Sequence, residues 1–168
     1  MGVTVSTRVQ RWPIARPWIG TGARLTLAGV WLYAGASKVT DLAGSGRAVN
    51  AYQVMPYDLA KVIGAALPFV EIALGFLLLA GLATRLAAAV SAVLLVVFIA
   101  GIVAAWARGL SIDCGCFGGG GELAAGQSPS YLPEIQRDLG FLTLAGFLVV
   151  FPRTRLAIDS WLNEPEER

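Results

Sequence analysis

Four apolar runs separated by polar segments set the outline of this chain. The first extends from Ile19 to Val39, interrupted mainly by Arg24. The second covers about Tyr57 to Ala80, opening just after Pro56, near a first-turn position where proline is tolerated. It carries Asp58 and Lys61 near its start and Pro68 and Glu71 inside. The third, Leu86 to Ala107, has no charge and exceeds the roughly 20 residues that cross a hydrocarbon core. The fourth spans roughly Glu134 to Phe151. Its mostly apolar part, Leu139 to Phe151, is short, so Arg137 and Asp138 must lie at the membrane surface or be paired. The pattern predicts an all-α protein, an integral membrane four-helix bundle. Small residues on the runs, such as Gly29, Gly64, Gly75, Ser91 and Gly101, permit close helix approach in lipid.

The connectors differ in character. Asp41 to Met55 is polar and is expected to carry a short interfacial helix around Ala48 to Val54. Gly81 to Arg85 reads as a tight turn. Leu110 to about Pro133 is a long, polar, glycine-rich loop. Before the first run, Met1 to Pro17 is basic, with Arg8, Arg11 and Arg16, and Trp12 and Trp18 suit a membrane–water interface. After Arg153 and Arg155, Leu156 to Leu162 reads as a weakly amphipathic turn or two on the membrane, and Glu164 to Arg168 as frayed. One domain over residues 18–152 follows, flanked by a basic segment, 1–17, and a cytoplasmic tail, 153–168. Ala34-Gly35-Ala36 resembles a signal-peptidase site, so a cleaved signal is the alternative to the first span.

Composition strengthens the membrane assignment. The 168 residues are 56% hydrophobic and 14% charged, against about one quarter charged in soluble domains. The net charge of +2 comes from scattered basic residues, which gives no footprint for nucleic acid. With four spans, Arg8, Arg11, Arg16, Arg85, Arg153, Arg155 and Arg168 share one side, against Lys38, Arg47, Lys61, Arg108 and Arg137 on the other. Seven to five favours cytoplasmic termini. The long loop then faces the bacterial periplasm or its equivalent, outside the inner membrane, where disulfide chemistry is at home.

That loop holds Asp113-Cys114-Gly115-Cys116-Phe117-Gly118, with three further glycines behind it, which are expected to leave the sulfurs accessible on a flexible loop. Both cysteines of the chain are here, and the chain has no histidine. Cysteines separated by one residue close a very small ring, and glycine between them best takes the backbone angles required. A disulfide outside its comfortable geometry stores strain and is more easily reduced. Strained, exposed disulfides are the labile or catalytic ones. Asp113 works in the other direction, since a carboxylate disfavours a neighbouring thiolate. Cys114 and Cys116 are therefore the candidate catalytic pair of a thiol–disulfide oxidoreductase. An inert staple, two idle thiols and half a metal site completed by a second subunit remain open. Two sulfurs are too few for a closed zinc site, so no metal and no cofactor are expected.

Glu71 is the second residue that stands out. A carboxyl group mid-span is expensive and usually faces the bundle interior with a partner. Arg24 is the expected partner, with Arg85 and Lys38 as alternatives. A register-fixing pair, a protonatable relay and lipid-facing protonation are the available roles.

Several stretches in one order resemble the MauE family, methylamine-utilisation membrane proteins within the broader DoxX-like group. They are Arg24 to Lys38, Tyr52-Gln53-Val54-Met55-Pro56, Pro68-Phe69-Val70-Glu71, Gly81-Leu82-Ala83-Thr84-Arg85 and Cys114-Gly115-Cys116-Phe117-Gly118. The resemblance implies a four-helix membrane protein linked to production of active methylamine dehydrogenase, whose small subunit is rich in disulfides. It implies action with a thioredoxin-like partner outside the cytoplasm in forming or transporting those bonds. Nothing in the residues specifies methylamine or an oligomeric state. A non-catalytic membrane anchor and a DoxX-like quinone-linked electron-transfer subunit are the alternatives.

Overall fold

The computed structural model describes residues 12–123 and 126–159. The expectations for Arg8, Arg11 and the stretch from Glu164 to Arg168 lie outside these residues, as does the second half of the turn expected over Leu156 to Leu162. Five helices occur among the described residues: α1 (Trp12–Val39), α2 (Leu42–Ala51), α3 (Tyr57–Ala80), α4 (Thr84–Ala107) and α5 (Tyr131–Val150). A two-stranded antiparallel ribbon, β1 (Ile112–Asp113) with β2 (Gly121–Glu122), interrupts the all-α plan inside the long loop. α3 and α4 are long and apolar enough to cross a membrane. α1 contains Arg16, Arg24 and Lys38, and α5 contains Glu134, Arg137 and Asp138, which sets these two apart.

α1 runs antiparallel to α3 along its length. Leu32 lies where a side chain on Gly75 would stand, and Pro68 and Ile72 lie against Gly35. α1 continues unbroken through Ala34 to Ala36 and places Leu27 and Trp31 in the core with Leu74, Leu78, Ala88, Leu95, Ala145 and Leu148. Trp31 donates from Nε1 to Ser91 Oγ at 2.9 Å, tying α1 to α4. α5 packs mainly on α4. Its first turn includes Pro133, where the missing N–H would have no helical partner.

In this register α1 ends about halfway along α3. α2 fills the space beyond it and packs on the first half of α3. Here the structure differs from the interfacial helix expected over Ala48 to Val54. The helix starts earlier because Asp41 caps it, accepting from Gly44 N at 2.7 Å. It stops at Ala51 because Gln53 takes a positive φ of 51°. Gly44 and Gly46 read as connector residues in the sequence. Gly46 instead permits contact: a Cβ on Gly64 would stand 2.5 Å from the Ser45 carbonyl oxygen. Ser45, Gly46, Ala48 and Ala51 are buried.

α3 ends on Gly81, left-handed at φ 66°, whose N–H and that of Leu82 return to Leu78 and Leu77. α4 then begins at Thr84, earlier than the apolar run alone implies. Asp159, far along the chain, accepts from the N–H groups of Ala83 and Thr84, each at 2.8 Å. The segment after α5 therefore folds back onto the ends of α1, α3 and α4. Thr21 Oγ1 donates to the Arg155 carbonyl and accepts from Arg155 N.

Candidate functional site

The loop between α4 and α5 is held down rather than free. Tyr131 at the start of α5 donates its hydroxyl to the Leu110 carbonyl and accepts from Ile112 N at 3.2 Å. β1 and β2 close the loop, and Gly115 and Gly120 pack together over Ala48 of α2. A Cβ on Gly120 would stand 2.5 Å from Gly115 Cα, so this contact requires glycine, which also accepts the positive φ of both positions. Phe117 meets the Tyr33 ring of α1 with centroids 5.7 Å apart. The flexible, open loop expected from the glycine content is thus a turn fixed to α1, α2 and α5.

Within the turn, Asp113 Oδ1 accepts from Gly115 N at 3.1 Å, and Cys114 Sγ accepts from Cys116 N at 3.3 Å. Tyr52, at the end of α2, donates its hydroxyl to the Cys114 carbonyl at 3.0 Å. Both thiols are free and half-buried. Arg137 on α5 places Nη2 3.8 Å from Cys114 Sγ and its guanidinium 4.5 Å from the Phe117 ring centre. Its Nε donates to Asp138 Oδ1 at 2.9 Å, which holds the guanidinium in place.

The two thiols differ in character. The contact with Cys116 favours the Cys114 thiolate, and Arg137 adds to it, so Cys114 lies below the ordinary thiol value although burial opposes this. Cys116 is pushed up, first by Cys114 and then by burial. The carboxyl group that opposes the Cys114 thiolate is Glu134 rather than the expected Asp113. Tyr52 is also pushed up, mainly by burial and then by the two sulfurs, so it stays a hydroxyl donor. Asp113, Cys114 and Glu134 bring one donor atom each within 4.8 Å of one another. That set has three donors and leaves Cys116 out, short of the four of a closed structural site.

Glu71 lies midway along α3, opposite the last turn of α1. It is fully buried, and its Oε1 accepts from Lys38 Nζ at 2.6 Å. The expected pairing with Arg24 is corrected by this geometry. Arg24 stands near Gly81, at the C-terminal end of α3, and donates from Nη2 to the Leu156 carbonyl at 3.0 Å. Lys38 and Arg24 are fourteen residues apart on α1, about 21 Å at the helical rise. The structure brings Cys114 and Cys116 together and keeps Glu71 and Arg24 apart. Arg137 and Tyr52 join the dithiol unanticipated. For Tyr52 the signal was faint, a single aromatic in the connector. For Arg137 it was the need for a partner near the surface.

A family model described as Methylamine utilisation protein MauE matches residues 16–151. Comparison with curated proteins and with solved structures gives no match.

Proposed function

We propose that this chain, which belongs to the MauE family of methylamine utilisation proteins, is a thiol–disulfide carrier of the bacterial cell membrane. In this reading α1, α3, α4 and α5 form a four-span bundle over residues 18–152, with both termini cytoplasmic. The Cys114–Cys116 pair then serves exported proteins through a thioredoxin-like partner, a disulfide-rich client of the methylamine dehydrogenase type among them. The antiparallel helices put Arg16, Arg85, Arg153 and Arg155 at one end, in keeping with the basic-residue asymmetry. The opposite end carries the dithiol.

The observation that carries the reading is the unequal pair of sulfurs. Cys114 Sγ receives the Cys116 N–H and faces the Arg137 guanidinium, so it is built to be a thiolate. Exchange then runs through one mixed disulfide on Cys114. A partner thiolate attacks Cys114 Sγ, the Cys114–Cys116 bond breaks, and Cys116 takes a proton. The partner's second thiolate attacks the partner sulfur of the mixed disulfide, and Cys114 leaves as the stabilised thiolate. Two electrons have moved to this chain, and a disulfide has formed in the partner. The leaving thiol of lower pKa departs faster, which fits Cys114 in the last step.

The test is covalent trapping in membranes. Cys116→Ser should accumulate a reductant-sensitive adduct of higher mass through Cys114, and Cys114→Ser should not. If neither variant forms an adduct, and the double variant still supports maturation of a disulfide-containing client, the pair is a structural staple and the protein an anchor.

A further inference from the structure

The dithiol turn forms part of the wall of a cavity of about 420 Å3 between α2, α3 and α4. That size falls in the range of small-molecule sites, roughly 300–1,000 Å3. α3 and α4 are joined by the turn at Gly81 but touch each other little. Away from that turn the gap between them stays unfilled. Its walls are apolar, built from residues such as Leu67 on α3 and Phe98 and Ala104 on α4. Ile63 and Val97 line it and are 39% and 57% exposed, so the cavity reaches the outer surface between the two most apolar helices.

Polar chemistry collects at one side of this space. Cys114, Cys116 and Lys38 all border it. Lys38 is buried, and it gives one N–H to Glu71. An ammonium group has three such donors. A lipid acyl chain would use neither a buried cation nor a dithiol. A molecule entering from the bilayer must be lipophilic. One that engages the far wall must accept hydrogen bonds and be able to exchange two electrons with two thiols.

We propose that this cavity binds a lipid-soluble quinone, with its ring toward Lys38 and the Cys114–Cys116 turn and its tail leaving between α3 and α4, and that the quinone re-oxidises the dithiol. The redox half rests on the carrier function proposed above; the binding half does not. The reaction balances without another reagent. Two S–H bonds break and one S–S bond forms between Cys114 and Cys116. Both electrons and both protons end on the two ring oxygens, giving the quinol. Lys38 is a positioning residue that donates to a ring oxygen.

Binding is measured first in the Cys114→Ser/Cys116→Ser double variant in lipid nanodiscs, so that no redox step interferes. Decylubiquinone should quench tryptophan fluorescence saturably, and 1-decanol should not compete. Ala104→Phe and Leu67→Phe, which fill the cavity from opposite walls, should each weaken binding at least about tenfold, with the melting temperature of the protein showing which variant is folded. Anaerobic mixing of the reduced wild-type chain with decylubiquinone should then consume two thiols for each quinol formed. Absence of saturable quenching, or equal competition by 1-decanol, overturns the site. Binding without loss of thiols overturns the oxidant role. Failed partner trapping with intact quinone binding removes the carrier reading and leaves the site standing.

Discussion

Where α1, α3 and α4 meet the C-terminal segment, chain closes on chain. Thr21 both donates to and accepts from Arg155, Arg24 reaches the Leu156 carbonyl, and Asp159 caps α4. At the opposite end, Lys38 and Glu71 pair beneath a cavity, and a glycine-rich turn covers it. Both ends bury a cation, and they neutralise it differently. Arg24 donates to carbonyl oxygens of the segment that fastens the helices, and it feels the Asp159 carboxylate of that segment without a direct ion pair to it among the contacts described. Lys38 is met by the Glu71 carboxyl group at 2.6 Å and borders open space. One end therefore fixes the helices in place, while the other borders a space that the two cysteines also line. The lesson is that a buried charge in such a protein is not by itself a functional sign; what it borders decides.

The largest test of this contrast is the Lys38–Glu71 pair. Removing one member leaves an unpaired buried charge, which costs about 3–5 kcal/mol in soluble proteins, and somewhat less is expected within a membrane. Glu71→Gln and Lys38→Met should each lower thermal stability strongly, and the double variant should lose much less than the sum. A cycle with Arg24→Gln in place of Lys38→Met should instead be additive. Coupling between Glu71 and Arg24 would contradict the observed register.

A smaller effect separates the two sulfurs. Each single variant removes the mutual contact of the sulfurs, but the surviving Cys114 of Cys116→Ser keeps the N–H of residue 116 and Arg137, so near neutral pH it should alkylate faster than the surviving, buried Cys116 of Cys114→Ser, because the thiolate is the nucleophile. Equal rates would remove the asymmetry on which the exchange sequence rests.

The smallest lies at the closed end. Burial opposes ionisation of Asp159, but the N–H groups of Thr84 and Ala83, together with Arg24, outweigh it and hold the carboxyl below its ordinary value. Its contribution is then complete above the ordinary aspartate range and disappears as pH falls through the lowered value. Asp159→Ala should cost about 1 kcal/mol at neutral pH, as lost helix caps do, and the difference from wild type should shrink in acid. A difference that grows in acid would refute the capping role.

Particular residues show how far the sequence could be read. The span from Tyr57 to Ala80 was legible to the residue, because Pro56 and Gly81 bracket an apolar run. The dithiol was legible because both cysteines fall in one polar segment. The partner of Glu71 was not, because choosing between Arg24 and Lys38 requires the offset of α1 against α3. That offset is set by Gly35 and Gly75, which carry no polarity signal. The start of α4 was not legible either, since its cap comes from Asp159, 75 residues away from Thr84. The ordering of the loop was missed because glycine usually signals freedom. Here Gly115 and Gly120 are glycine so that two backbones can touch.

α2 has a consequence for how the protein comes together. It is ten residues long, with Gly44, Gly46, Asn50 and an exposed Arg47, too short and polar to enter lipid on its own account. It is held on the first half of α3, where Gly64 lets the backbone of Ser45 and Gly46 come close. The cysteine turn rests in its turn on Ala48 of α2. The seating of the two sulfurs is therefore relayed through a short helix that lipid alone would not hold, and a side chain added at Gly64 would reach them without touching either one.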